Sequence, residues 1–365
     1  MKFKISFDRT YALSLLAVLL GLAAGAVLMK ATGHDPIGGY RYLFRGGLMN
    51  PARMGNTMAI ATTLILTGLS VAFAFRTGLF NVGASGQMLM GGLAATFIGL
   101  TFSWPRPVLL TVMMLAAFLG GGLWAALAGF LKARFNVHEV VATIMLNWIA
   151  FWTIFYVVPR YFKGPFLETE SRRLPAVATL HWPWLSSLFS GSYINVGIFI
   201  AAAAVIVVAF VLGRTTLGYE LKAVGYNRHA AEVAGINVNS RMVLSMAIAG
   251  GLAGLAGGTF YAGYAATMQI GILPSQGFDG MAVALLGASS PWGVLTAGLF
   301  FGVLHTGKGF MTAMTRIPPD IADTIIATVI YFAATSVLVE RYWDSLERRL
   351  AAAREKRDIA TGGGD

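Results

Sequence analysis

Few side chains in this sequence are placed to do chemistry, and those few argue against catalysis. The stretch Gly302–Lys308, GVLHTGK, has the spacing of a phosphate-binding loop, G-x-x-x-x-G-K-[ST]. Gly309 stands where the magnesium-ligating hydroxyl belongs, and a membrane-like apolar run, not a strand, precedes the motif. The chain is therefore expected to hold no ATP site of its own. Its five histidines are scattered without metal-ligand spacing, and cysteine is absent, so neither a metal centre nor a cofactor is expected. What remains is a handful of polar groups in apolar surroundings: Asn81, Gln87, Asn147 and Asp279. Burying such a group unpaired costs roughly 2–7 kcal/mol. Each must therefore either bond backbone at a broken helix end or face water in a pathway. Asp279 is expected near a helix N-terminus, where the dipole favours it.

The composition says what surrounds them. Hydrophobic residues make up 56% and charged residues 12%, and the mean hydropathy is +0.69. Soluble domains carry about 25% charged residues. This is an all-α polytopic membrane protein, and at roughly 20 apolar residues per span the 365 residues allow about ten transmembrane segments. No gap between apolar runs is long enough for a soluble catalytic domain. The net charge of +11 does not point to nucleic acid. Lys2, Lys4, Arg9, Arg76, Lys132, Arg134, Arg214, Lys222, Arg228 and Arg241, with the basic tail from Arg341 to Arg357, fall on one face of the expected topology. That is the positive-inside pattern, with lipid headgroups as the partner of these charges.

The chain begins with a basic tail and an apolar run, Tyr11–Met29, read as a retained first span. Lys30–Arg53 is expected to lie flat on the outer interface as an amphipathic segment. Asn56–Phe75 is the second span. The run from Met88 to Leu100 is about 13 residues, short of a full crossing, and Pro274–Ala288 and Trp292–Leu304 are expected to be short as well. Asn136 is expected to cap the helix that follows it, with Glu139 closing the cap. Asn147 lies one turn after Thr143 on the same face. Gly250, Gly254 and Gly258 recur every four residues, the small-residue spacing that lets helix backbones pack closely. Residues 1–340 thus form the membrane domain and 341–365 a charged tail, with both termini on the cytoplasmic side.

Two polar stretches look like a repeat. GLFNVGASGQMLMGG follows the second span and GFDGMAVALLG follows the seventh, entering from opposite sides. Short, glycine-interrupted segments in matching positions of inverted halves point to a binding or translocation path, here bordered by Asn81, Gln87, Asn147 and Asp279.

The longest polar interruption is Arg214–Arg241, RTTLGYELKAVGYNRHAAEVAGINVNSR, between two spanning runs. A single short helix is expected over Tyr219–Ala234, ended by Gly235. The pattern LKAVGYNRHAAEVAGI resembles the coupling loop in permease subunits of ATP-binding-cassette (ABC) importers for nucleosides and simple sugars. Gly78–Gly92, His138–Ala150 (HEVVATIMLNWIA) and Gly277–Val294 (GFDGMAVALLGASSPWGV) resemble the same family, nearest its nucleoside branch. The resemblance implies a bacterial inner-membrane permease that moves its substrate by alternating access. It implies as partners a cytoplasmic ABC ATPase, a second permease subunit and an external substrate-binding lipoprotein. It assigns ATPase coupling to Tyr219, Lys222, Gly225, Asn227, Ala230, Ala231 and Gly235. Other readings are a simple-sugar substrate, an ion-coupled transporter, or a membrane subunit without transport. An ion-coupled mechanism would want ionisable groups in mid-membrane, and only Asp279 and Glu139 come close.

Overall fold

The computed structural model of the chain describes residues 2–165, 169–332 and 335. Its helices are α1 (Lys2–Ala31), α2 (Pro36–Leu48), α3 (Pro51–Arg76), α4 (Ala84–Thr101), α5 (Arg106–Phe135), α6 (Glu139–Tyr161), α7 (Pro183–Leu188), α8 (Gly197–Arg214), α9 (Thr216–Tyr226), α10 (Arg228–Val233), α11 (Val238–Thr259), α12 (Gln276–Leu286), α13 (Pro291–Thr315) and α14 (319–332). A π turn, Phe260–Ala265, continues α11. Among the described residues the β-structure is confined to two isolated bridges, Lys163–Ser171 and Glu170–Gln269. Seven described helices are long and apolar enough to cross a membrane: α1, α3, α5, α6, α8, α11 with its π turn, and α13. α2, α4, α12 and α14 pack among or beside them; α4, at 18 residues, is as long as α8 and longer than the segment expected over Met88–Leu100. The tail 341–365 lies outside the described residues.

α3 is the axis of the bundle, with 83% of its apolar window buried. Asn50 caps it by accepting from the Arg53 N–H at 2.9 Å, and Pro51 occupies its first turn, where a missing N–H costs nothing. Leu64, Ile65, Leu69 and Phe73 pack with Val283 and Leu286 of α12, Val294 and Phe301 of α13, and Val205 and Leu212 of α8. On its other side α11 packs most extensively against α5 and α4, through glycine. A Cβ on Gly250 would stand 2.4 Å from the Gly121 carbonyl oxygen, on Gly254 2.1 Å from that of Ala117, and on Gly258 2.8 Å from the Ala117 Cβ. The backbones touch because side chains are absent there.

Several boundaries differ from the sequence expectation. α13 is a full-length helix of 25 residues and not a short segment ending at Leu304. Gly307 lies against Leu43 of α2, and Lys308 makes a part-exposed ion pair with Asp323 of α14 at 2.7 Å. GVLHTGK is therefore helical throughout, with no loop whose backbone could cradle a phosphate. α2 does not stand alone at an interface. It runs alongside the second half of α13, with Gly39 near Ile317 and Gly47 near Val303. α4 begins at Ala84, four residues before its apolar run, because Ser85 and Gln87 find partners inside the protein. Asn136 does not cap α6. It takes a left-handed conformation (φ 51°) that ends α5, which asparagine tolerates well. His138 caps α6, its Nδ1 accepting from the Val140 N–H at 3.3 Å, and Glu139 pairs with Lys132 at 3.0 Å.

Candidate coupling surface and membrane-embedded site

The segment between α8 and α11 forms two helices, not one. Thr215 caps α9, accepting from the Gly218 N–H at 3.1 Å. Asn227 breaks the helix in extended backbone and caps α10, its Oδ1 accepting from the Ala230 N–H at 3.1 Å. An asparagine that can bond its own downstream backbone favours a new helix start over continuation. Gly235, at φ +83°, closes α10.

The two faces of this pair do different things. Val224 and Ala231 turn inward onto Ala74, Leu79, Met242 and Met246, and Leu221 turns into the main core with Phe73 and Leu212. Tyr219, Tyr226 and Val233 turn outward, 72%, 89% and 91% exposed. Ala231 therefore anchors α10 to its own chain, while Tyr219, Tyr226 and Val233 form the free apolar surface. Asn227, Ala230 and Gly235 are exposed beside them, and Lys222 is half-buried. A Glu220–Arg241 ion pair joins α9 to the start of α11.

Gly225 seats the pair on the end of α3. A Cβ there would lie 2.3 Å from the Arg76 carbonyl oxygen, so α9 rests directly on the backbone at the end of α3. Gly78, at φ +70°, turns the chain beneath it. The Arg76 guanidinium donates to the Ser289 carbonyl from Nε at 3.0 Å and Nη2 at 2.8 Å. Ser289 is the turn between α12 and α13. One contact thus joins α9–α10 to the segment leading into α4 and to the end of α12.

α4 and α12 meet head to head. The Ser85 hydroxyl donates to the Pro274 carbonyl at 2.8 Å, and Gly277 lies so close that a Cβ would be 2.3 Å from the Ser85 nitrogen. α4 then runs away from the coupling end and α12 runs towards it. Asn81, Gln87 and Asn147 gather at this meeting point, all buried. Asn81 and Gln87 exchange amide hydrogen bonds at 2.9 and 2.8 Å, and Asn81 also donates to Ser70 Oγ at 3.2 Å. Asn147 accepts from the Gly86 N–H at 2.8 Å and donates to the Val82 carbonyl at 3.0 Å. The amides thus fasten the turn 81–87 in place. Asp279 does not join them. It lies one turn into α12, facing His305 of α13 at 3.5 Å.

Three cavities, not evident in the sequence, meet at Tyr264, and His305 borders the smallest. One of ≈ 140 Å³ is bordered by Thr63, Phe260, Tyr264, Gln276 and His305. A second of ≈ 450 Å³ lies along Phe260, Tyr264, Thr267, Gln269 and Gln276. A third of ≈ 770 Å³ lies under Arg173, His181 and Tyr193, with Tyr264 as its inner wall. The signal in the sequence was the aromatic run FYAGY at the end of a span, which also reads as an interfacial anchor.

The geometry is that of a polytopic membrane protein in which α4 and α12 abut at the centre and a polar helical pair lies at one end. The chain belongs to the branched-chain amino acid transport system / permease component family, whose model matches residues 53–334. It is 38% identical over 340 residues to the guanosine ABC transporter permease protein NupP of Bacillus subtilis, covering 92% of this chain and 96% of that one. It is also 38% identical to the nucleoside ABC transporter permease protein NupB of Lactococcus lactis, covering 89% and 91%. A glucose ABC transporter permease protein of Haloferax volcanii is 33% identical, covering 91% and 89%. The first two organisms each have a second, more distant matching permease, NupQ and NupC. No solved structure matches the chain.

Proposed function

We propose that this chain is the membrane-spanning permease of an ABC importer that carries nucleosides across the bacterial cytoplasmic membrane. The observation that carries the reading is near-full-length kinship with guanosine and nucleoside permeases at 38% identity, above the glucose permease at 33%. A separate cytoplasmic ATPase supplies the energy and an external lipoprotein delivers the substrate. The naming of relatives in pairs supports a second, related permease as partner. Both termini, α9 and α10 lie on the cytoplasmic side, in keeping with Arg76, Lys132, Arg134, Arg214 and Arg241 at that end of the bundle.

In this mechanism the ATPase grips Tyr219, Tyr226 and Val233, with Lys222, Asn227, Ala230 and Gly235 around them. Closure of the ATPase moves α9 and α10 as a unit, since Ala231 and Gly225 fix them to the bundle. Motion passes through Arg76 and Ser289 to the ends of α3 and α12, and so to the meeting point of α4 and α12. Asn81, Gln87 and Asn147 border the route there as the helices reorient, with Asp279 one turn further along α12 facing His305. Deleting the gene should abolish uptake of labelled guanosine by intact cells and leave glucose uptake unchanged. Loss of glucose uptake with guanosine uptake intact would assign the machine to sugars.

A further inference from the structure

Three cavities share one side chain. Tyr264 borders the ≈ 770 Å³ cavity beneath Tyr193, the ≈ 450 Å³ cavity along 267–276, and the ≈ 140 Å³ cavity that ends at His305. Its ring centroid is 5.6 Å from that of Tyr193, tilted 59°, and 5.6 Å from that of Phe260, at 27° and stacked. The rings form a row that starts at the surface, where Tyr193 is 58% exposed, and leads inward. At the inner end of the row stand Gln276, which borders both inner cavities, and His305, whose Nε2 lies 3.5 Å from Asp279 Oδ2. Phe260 and Tyr264 belong to the π turn, a conformation found disproportionately at functional sites.

The chemistry of the row is selective. Each ring offers a π face, and base–aromatic stacking tolerates any base because every base has one too. The Gln276 amide presents two donors and an acceptor, able to pair with the edge of a base. The ≈ 450 Å³ volume lies in the range of small-molecule sites. A planar base lies flat on each ring over its whole face, whereas a puckered hexose meets the ring only through the C–H groups of one face.

We propose that Tyr193, Tyr264 and Phe260 form a stacking track for the base of a nucleoside, with Gln276 reading the base edge and His305 closing the inner end. The track rests on the nucleoside reading above and adds the residues that would recognise the substrate. Stacking holds the base without enclosing it, which suits a protein that must release what it passes on.

The test uses the whole reconstituted importer and labelled guanosine. The wild-type complex comes first: accumulation of glucose in place of guanosine would remove the nucleoside reading and the track together. With wild-type guanosine uptake in hand, Tyr264→Ala should lower it about tenfold, the scale of one lost base stack. Tyr264→Phe should stay within about twofold, since the ring remains. Uptake by Tyr264→Ala within twofold of wild type, or Tyr264→Phe as defective as Tyr264→Ala, would overturn the track. A second measurement does not depend on removing the ring. The chain contains no cysteine, so Ser275→Cys, on the border of the ≈ 450 Å³ cavity, gives a single thiol. Guanosine should slow its modification by a water-soluble maleimide, and glucose should not. Equal rates with and without guanosine would place the base elsewhere.

Discussion

Replacing Gly254 by alanine tests the packing on which the bundle depends. A Cβ at this position would sit 2.1 Å from the Ala117 carbonyl oxygen and 3.0 Å from the Gly121 Cα, where ordinary contacts begin at 3.4 Å. Neither neighbour is a flexible side-chain tip, so α5 and α11 must part by roughly 1 Å, in an interior packed like an organic crystal. A gap of that size forfeits about a quarter to a half of each contact's dispersion energy. Overpacking of this kind costs about 1–3 kcal/mol. Alanine also gains about 1 kcal/mol of helix propensity over glycine, which must be separated from the packing term. Gly213 of α8 provides the control, because a Cβ there meets nothing within 4 Å. Gly213→Ala should be neutral or stabilising, and Gly254→Ala should fall below it by about 1–3 kcal/mol, with Gly254→Leu lower again. The eight tryptophans provide the fluorescence signal for thermal unfolding of the purified complex in detergent. If Gly254→Ala melts at or above Gly213→Ala, the backbones do not touch at α5–α11 and the packing argument is wrong.

Other outcomes follow from the same geometry. Val233→Asp and Tyr226→Ala should reduce substrate-stimulated ATP hydrolysis without lowering the melting temperature, because both side chains are exposed, whereas Ala231→Arg should lower both. Wild-type stimulation in Val233→Asp would move the coupling contact off α10. Asn81→Ala leaves the buried Gln87 amide short of a partner, and a loss of about 1–3 kcal/mol should appear in the same melting assay. An unchanged melting point would mean that the 81–87 turn needs no such fastening. Lys308→Ala removes a part-exposed ion pair with Asp323 and should leave ATP-analogue binding by the full complex unchanged. Saturable analogue binding to the isolated chain would contradict a separate ATPase.

The sequence made the spans legible because lipid-facing and core-facing positions are both apolar, and long runs such as Gly197–Arg214 have no other reading. It made α4 and α12 legible as well, through their polar starts at Gly83–Gln87 and Gln276–Asp279. It did not reveal the break at Asn227, because the apolar pattern runs through it and only the side-chain cap ends α9. The length of α13 was hidden for a related reason. His305, Gly307 and Lys308 look like loop residues until α2 and α14 pack against them. His138 in place of Asn136 as the α6 cap depends on a left-handed turn that several residues would tolerate. The cavities were invisible because Tyr193, Phe260 and Tyr264 are far apart in sequence or read as interfacial aromatics. The Arg76–Ser289 contact spans 213 residues and leaves no local trace.

The central claim is that this chain moves nucleosides by ATP-driven alternating access in company with separate subunits. Its most direct test is accumulation of labelled guanosine in proteoliposomes holding this chain, its partner permease and the ATPase, with the binding protein on the opposite side. The account predicts accumulation that requires ATP and the binding protein and is competed by unlabelled nucleosides but not by glucose. Accumulation without ATP, or of glucose in place of guanosine, would contradict it.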